Sequence, residues 1–159
     1  MIKKINYFIL SLLILACAPS KKRVSCVGCD PVSGIEIESS SNKESIQFIV
    51  RNKSNTQMFI HNYMQLNIER LEEGKWEKVR ILNCPCGAPC ARPAEFIAVA
   101  KDGNFTFTWD RVESWCGEKN SYGIPESMKL SVTAGRYRIM VIYSLDGRDT
   151  KVFYKEFNV

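Results

Sequence analysis

The chain is poor in the residues and motifs on which most enzymes depend. Its 159 residues include one histidine, His61. The sequence has no Gly-x-Ser-x-Gly nucleophile elbow, no His-Glu-x-x-His pair and no glycine-rich phosphate loop. A Ser-His-Asp triad would have to be built on His61 alone. We therefore expect a protein that is not an enzyme, with no catalytic residues and no cofactor.

A sustained run of one charge sign is also missing. The chain has 22 Lys and Arg residues against 17 Asp and Glu residues, a formal net charge of +5. Lysine and glutamate are interspersed, for example over residues 69–80. A nucleic-acid surface normally shows a clustered basic face with interleaved aromatic residues. We therefore expect no nucleic-acid partner.

No apolar run is long enough to span a bilayer. The longest, Tyr7 to Ala16, follows Lys3 and Lys4. As a helix it would cover about 15 Å, roughly half of the hydrocarbon thickness. A basic start followed by a short apolar run is typical of a secretory signal peptide, not of a transmembrane helix.

The end of this run, Ile14-Leu15-Ala16-Cys17, resembles the lipobox of bacterial lipoprotein precursors. The resemblance implies removal of residues 1–16, a lipidated N-terminus and tether over residues 17–34, and lipidation of Cys17 with a diacylglycerol and an N-acyl chain such as palmitate. Two or three acyl chains would hold the protein stably in a bilayer. The alternative is an ordinary signal peptide cut near Ala18.

The same resemblance predicts the location of the protein. Ala18 after the cysteine favours the outer membrane, so we expect a lipid-anchored cell-envelope protein, with its periplasmic or surface orientation left open. Removing residues 1–16 takes away Lys3 and Lys4 and no acid, so the formal charge falls by two, from +5 to +3.

Residues 35–159 form one predicted domain, with strand patterns and no useful helical periodicity. Polar and apolar residues alternate with period two, and turn signals recur about every eight to twelve residues. The patterns predict an all-β fold, an Ig-like antiparallel β-sandwich of about 8 to 10 short strands, with a closed barrel as the alternative. The predicted strands are Ile35–Glu38, Ser45–Arg51, Gln57–His61, Met64–Glu69, Trp76–Leu82, Phe96–Ala100, Phe105–Trp109, Met128–Val132, Tyr137–Ser144 and Thr150–Val159.

Two hairpins and one long loop are predicted within this domain. The turn Glu72 to Lys75 would join the strands on either side of it. Asp102-Gly103 would join Phe96–Ala100 to Phe105–Trp109, because Asp-Gly supplies the positive φ angles of a tight hairpin. A long loop would follow, over residues 110–127.

Two short motifs carry a further resemblance. Phe105-Thr106-Phe107-Thr108-Trp109-Asp110 and Thr133-Ala134-Gly135-Arg136-Tyr137-Arg138 resemble the ending of Ig-like and fibronectin-like bacterial domains, including the BsuPI-type proteinase-inhibitor domain. The resemblance implies a sandwich over residues 45–159 and leaves proteinase inhibition as an alternative function. Gly135 permits a corner, and Tyr137 can pack its ring inward while its hydroxyl bonds a loop carbonyl.

With Cys17 assigned to lipid, six cysteines are disulfide candidates: Cys26, Cys29, Cys84, Cys86, Cys90 and Cys116. An even number in an exported chain favours disulfides, although sequence cannot choose among the pairings. Cys84 and Cys86 flank only Pro85, so they are poorly placed to bridge each other. We expect Cys116 to bridge one of Cys84, Cys86 or Cys90, with the remaining two, or Cys26 and Cys29, forming another pair.

The alternative for these sulfurs is a metal site. Residues 26–29 and 84–90 could supply thiolates, and Met58, His61 and Met64 could add soft ligands for copper or zinc. However, the spacing is not a double Cys-x-x-Cys, and those three residues lie where side chains alternate into a core. We therefore expect no metal ligands. A redox role is disfavoured because no helix follows Cys-Val-Gly-Cys to lower a thiol pKa.

Loops at one end of a sandwich commonly carry recognition. The sequence therefore predicts a membrane-anchored binding or structural module of the envelope. Its predicted contacts are the bilayer, through acylated Cys17, and another envelope protein, through the loops at residues 83–93 and 110–127.

Overall fold

The protein is described by a computed structural model that covers residues 34–91 and 94–159. The predicted signal peptide, the lipidated Cys17, the tether, and Cys26 with Cys29 lie outside the described residues. Within the described residues, no helix is long and apolar enough to cross a membrane.

The prediction of an all-β sandwich is confirmed, with eleven strands in the described part of the chain. All pairings are antiparallel, and they form a three-stranded sheet, a six-stranded sheet and a two-stranded ribbon. The strands are β1 (Ile35–Ser41), β2 (Ile46–Asn52), β3 (Met58–His61), β4 (Asn67–Glu72), β5 (Lys75–Lys78), β6 (Phe96–Val99), β7 (Asn104–Trp109), β8 (Val112–Lys119), β9 (Pro125–Ser131), β10 (Arg136–Ser144) and β11 (Lys151–Asn158).

The first sheet has the order β1-β2-β7. Along β2, Ile46, Phe48 and Val50 are buried while the residues between them are more exposed. This period-two pattern sends one face of the sheet into the core because successive side chains of a strand point to opposite sides.

The second sheet is built around β10. One edge of β10 pairs with β11 along its length, and the other edge pairs first with β4 and then with β3. β3 and β4 therefore follow one another along the same neighbour, interrupted by residues 62–66. β5 extends this sheet beside β4, and β6 extends it beside β3.

Aromatic side chains join the two sheets across the core. Phe48 of the first sheet packs edge-on against Phe157 of the second, with ring centroids 4.8 Å apart. Trp109 of the first sheet and Tyr137 of the second make another contact, with tilted rings whose centroids are 5.6 Å apart. The Tyr137 ring is fully buried, and its hydroxyl donates a 2.7 Å hydrogen bond to the Thr133 carbonyl, which confirms the role predicted for this tyrosine.

A buried amide fixes one end of the sandwich. The Nδ2 group of Asn52, fully buried, contacts the carbonyls of Thr56, Val99 and Ala100 at 2.8 to 3.1 Å. Its Oδ1 accepts hydrogen bonds from the Ser54 amide and hydroxyl. One side chain thus ties the end of β2 to the turn after β6.

One predicted hairpin is confirmed and the other is wrong. β4 and β5 are joined by Glu73 and Gly74, both with positive φ, as a tight two-residue turn requires. Asp102 also has a positive φ, but β6 pairs with β3 and β7 pairs with β2. The Asp-Gly turn therefore passes the chain from one sheet to the other.

The predicted long loop over residues 110–127 is also wrong. Most of it forms β8 and the start of β9, which pair as a hairpin. Residues on both faces of β8 are half-buried or exposed, so the segment lacks the alternation that identifies a core strand.

Candidate functional site: the stapled region

The β8–β9 ribbon lies against residues 79–91, and together these segments form what we call the stapled region. The backbone N–H of Ser114 in β8 donates to the carbonyl of Arg80 at 2.7 Å. The Ser114 hydroxyl in turn accepts from the Leu82 N–H at 2.8 Å. These bonds hold the irregular segment after β5 beside β8.

Two disulfides reinforce this contact. Cys86 is joined to Cys116 of β8, with Cα atoms 5.7 Å apart and a sequence separation of 30. Cys84 is joined to Cys90, which closes a loop with a sequence separation of 6. Cys116 thus pairs within the predicted trio, and the other two members of that trio pair with each other.

Arg80 links the segment to the ribbon through its side chain as well. Its guanidinium donates from Nε to the Glu113 carboxylate at 2.7 Å and lies 4.1 Å from the centroid of the Trp115 ring. The hydrogen bond from Arg80 holds the pKa of Glu113 below its ordinary value. The pair is partly shielded, since the Glu113 side chain is only 15% exposed.

A cleft of about 480 Å³ opens between the two parts of the stapled region. Asp110 and Lys129 supply opposite charges to its wall, and Ser114 and Ser127 supply hydroxyls. The complete lining is Ile81, Leu82, Asn83, Cys84, Pro85, Asp110, Val112, Ser114, Ser127 and Lys129. Polar and apolar residues contribute about equally to this lining.

Among the alternative metal ligands, Met58, His61 and Met64 are not brought to one site. Met58 is fully buried in the core, whereas Met64 is 57% exposed. His61 lies three positions from Met58 in the same strand, hence on the opposite face, and its Nε2 is 2.9 Å from the Ser144 hydroxyl. Among the described residues, no group of three or more His, Cys, Asp or Glu side chains is arranged to hold a metal ion.

Several residues of the stapled region were not singled out by the sequence, notably Arg80, Trp115, Ser127 and Lys129. A local signal for the ribbon was present at its turn. The Asn120 side chain accepts hydrogen bonds from the N–H groups of Tyr122 and Ile124, and Gly123 has a positive φ. Asparagine and glycine at this spacing are typical of a turn between strands.

The chain matches no protein-family model, and no curated protein matches it.

Proposed function

We propose that this protein is a lipid-anchored, extracytoplasmic lipoprotein that serves as a binding or structural module of the cell envelope, with the stapled region as its contact surface. The observation that carries the proposal is the disulfide between Cys86 and Cys116, which joins the two segments whose neighbouring residues line the cleft. A loop and a ribbon outside the main core are held in a fixed relation, which limits the entropy lost when a partner binds.

Disulfides support the extracytoplasmic part of the proposal. Bonds of this kind persist in oxidising compartments and are rare in a reducing cytosol. The described residues contain two of them, both in the stapled region.

The point where the chain enters the sandwich supports an arrangement in which the stapled region faces away from the membrane anchor. Residue 34, at the start of the described part, lies beside Ser54 at one end of β1. At the other end, the Arg111 side chain at the base of the ribbon bonds Ser41 and the Asn42 carbonyl. The seven residues of β1 separate these points by roughly 23 Å. A tether arriving at Gly34 leaves the base of the stapled region at the far end.

The anchor is tested by replacing Cys17 in the full-length gene. Cys17→Ser should move the protein from the membrane fraction to the soluble fraction, because the acyl chains would be lost. Ser20→Ala is the matched control and should remain in the membrane. A Cys17→Ser protein that still sediments with membranes would contradict the lipidation proposal.

The contact surface is tested by placing a photo-crosslinking amino acid at Ser127, in the cleft wall, in cells. The matched probe replaces Lys101, which is exposed in the turn between β6 and β7. We expect a discrete adduct from position 127 that excess unlabelled protein competes away, and none from position 101. Equal labelling at both positions would argue against a defined surface at the cleft.

A further inference from the structure

We propose that the free edge of β9 pairs with β9 of a second copy of this chain, so that the ribbon becomes half of an antiparallel four-stranded sheet. This self-association goes beyond the proposed function and does not depend on lipidation or on the occupant of the cleft. Three observations carry it: an open backbone edge, an exposed apolar stripe along that edge, and the self-complementary sequence of β9.

The backbone edge is open. β9 is seven residues long and pairs with β8, and no other described strand pairs with it. The Val132 N–H donates to the Arg111 carbonyl at 3.0 Å. Because backbone groups alternate along an antiparallel ladder, the N–H groups of Ser127, Lys129 and Ser131 then point to the free edge.

The side chains on one face of β9 form an exposed apolar stripe. Met128 is 41% exposed and Leu130 is 58% exposed. Trp115 lies directly across from Met128 on β8 and continues the stripe. Exposed apolar side chains beside an unpaired strand edge invite pairing with another chain.

Two of the guards that proteins place on open edges lie at the tip of the ribbon, and Lys129 is a third, within β9. Pro125 begins β9, and the pairing register shifts between Cys116 and Lys119. Both features discourage pairing near residue 125. They leave residues 126–131 open, which is the length of a short strand.

The sequence of β9 makes a second copy the fitting occupant. In an antiparallel register centred on Met128, the two Met128 side chains meet, each Lys129 faces Ser127 and each Glu126 faces Leu130. No like charges are opposed, and the apolar stripes of both copies join on one face. A two-fold axis through this point places the same surface of β9 on both sides of the interface.

Residues 18–33 of the same chain are less suited to pair with this edge. Residues 18–33 lack alternating apolar residues and contain two prolines and one glycine. They also join the domain at Gly34, beyond the end of the sandwich opposite the base of the ribbon.

The test uses full-length protein carrying two different tags, co-expressed and solubilised from membranes. Capture of one tag should recover the other, and light scattering should give the mass of a dimer. Met128→Glu should lower recovery at least tenfold, because two like charges would then face each other where the two Met128 side chains meet. Lys129→Pro should do the same by removing an edge N–H donor and leaving the β8 ladder intact.

Two matched controls distinguish the loss of pairing at the β9 edge from unspecific effects of a substitution. Lys129→Ala changes the same side chain and keeps the backbone donor, so it should remain dimeric. Val152→Glu places a glutamate at a comparably exposed apolar residue of β11 and should also remain dimeric. Non-reducing peptide maps and circular dichroism matching the wild type show that each variant is folded. If Lys129→Pro misfolds, the result for Met128→Glu decides the question.

The proposal is overturned by a wild-type protein that is monomeric at every concentration tested. It is equally overturned by a dimer that Met128→Glu leaves intact, or by a monomer whose ribbon is held by a different protein. A failure here leaves the fractionation of Cys17→Ser unchanged. A Ser127 adduct with a different protein would then still support the proposed contact surface, so the two proposals fail separately.

Discussion

At the scale of single residues, two buried tyrosines differ in whether the hydroxyl has a partner. Tyr137 donates to the Thr133 carbonyl, whereas the Tyr143 hydroxyl has no hydrogen-bond partner among the described residues. Burial also raises the pKa of Tyr143. Tyr137→Phe should therefore cost about 1 to 2 kcal/mol of unfolding free energy, while Tyr143→Phe should be neutral or stabilise by up to about 1 kcal/mol.

Urea denaturation of both variants beside the wild type measures this difference. The two substitutions remove the same atom from the same residue type, so each is the control for the other. A larger loss for Tyr143→Phe than for Tyr137→Phe would show that the hydrogen-bond assignment is wrong.

Asn52 is expected to be the most sensitive polar residue of the sandwich. Asn52→Ala would leave the Val99 and Ala100 carbonyls without this buried donor, which should destabilise the protein by about 3 kcal/mol. Asn67→Ala, whose amide makes one exposed hydrogen bond, should change stability by less than about 0.5 kcal/mol. Thermal unfolding of the pair tests the prediction, and similar losses would contradict it.

Sequence identified Tyr137 and not Asn52 for a physical reason. The role of Tyr137 depends on a corner four residues earlier, within one short motif. Asn52 stands in Arg51-Asn52-Lys53-Ser54-Asn55, which reads as an ordinary polar turn. Two of its partners are 47 and 48 residues away, so its burial follows from the meeting of two distant turns.

At the scale of elements, the same contrast separates the two hairpin predictions. The β4–β5 hairpin depends only on the turn between its strands, and the prediction of this hairpin is confirmed. The turn at Asp102-Gly103 has suitable residues, yet β6 and β7 pair with partners more than 30 residues away in sequence. A turn motif fixes the local change of direction, and burial of each strand's apolar face decides which sheet it joins.

β8 was missed, and β9 was predicted only in part, as Met128–Val132, because the ribbon is held by cross-links and lacks a buried face. Only Pro125 of β9 is even half-buried. The cysteines did indicate that Cys116 would join the 84–90 segment, so the disulfide was predictable although strand β8, which carries Cys116, was not.

The two disulfides should contribute unequally to stability. In the loop-entropy picture, closing the long loop between Cys86 and Cys116 is worth about 3 to 4 kcal/mol, and the short loop between Cys84 and Cys90 is worth about 2 kcal/mol. Replacing both cysteines of each pair by serine, followed by chemical denaturation, measures the difference. Limited proteolysis should cut the ribbon only in the Cys86→Ser, Cys116→Ser protein, and cleavage in both variants or a larger loss for the short loop would contradict this account.

The contact between Arg80 and Glu113 should make the docking of the ribbon sensitive to acid. Because the pKa of Glu113 is lower in the folded protein than in the unfolded chain, the pair stabilises the fold above the unfolded value of about 4.3. That contribution is lost as the pH falls through the folded pKa. The exposure of Arg80 keeps the effect below about 1 kcal/mol.

Glu113→Gln isolates this effect, because it removes the titrating group and keeps the shape. The difference in unfolding free energy between wild type and variant should be present at pH 7 and should shrink toward pH 3. A difference that stays constant with pH would mean that ionised Glu113 does not contribute.

At the scale of the whole molecule, the proposed membrane tether joins one end of the β-sandwich at Gly34, and the base of the cross-linked ribbon lies at the other end. The class of fold was predictable because period-two alternation extends over most of the domain. The cleft was not, since its walls come from residues 81–85, from Asp110 and from both strands of the ribbon. No local pattern connects segments so far apart in the chain.

Export, lipidation and disulfide formation are linked in this account, and one measurement addresses all three. Mass spectrometry of the protein purified from its native membranes, with peptides mapped before and after reduction, should find residues 1–16 absent and Cys17 acylated. It should also find Cys84 joined to Cys90 and Cys86 joined to Cys116. A protein that retains Met1 and carries these four cysteines as free thiols would contradict the central claim.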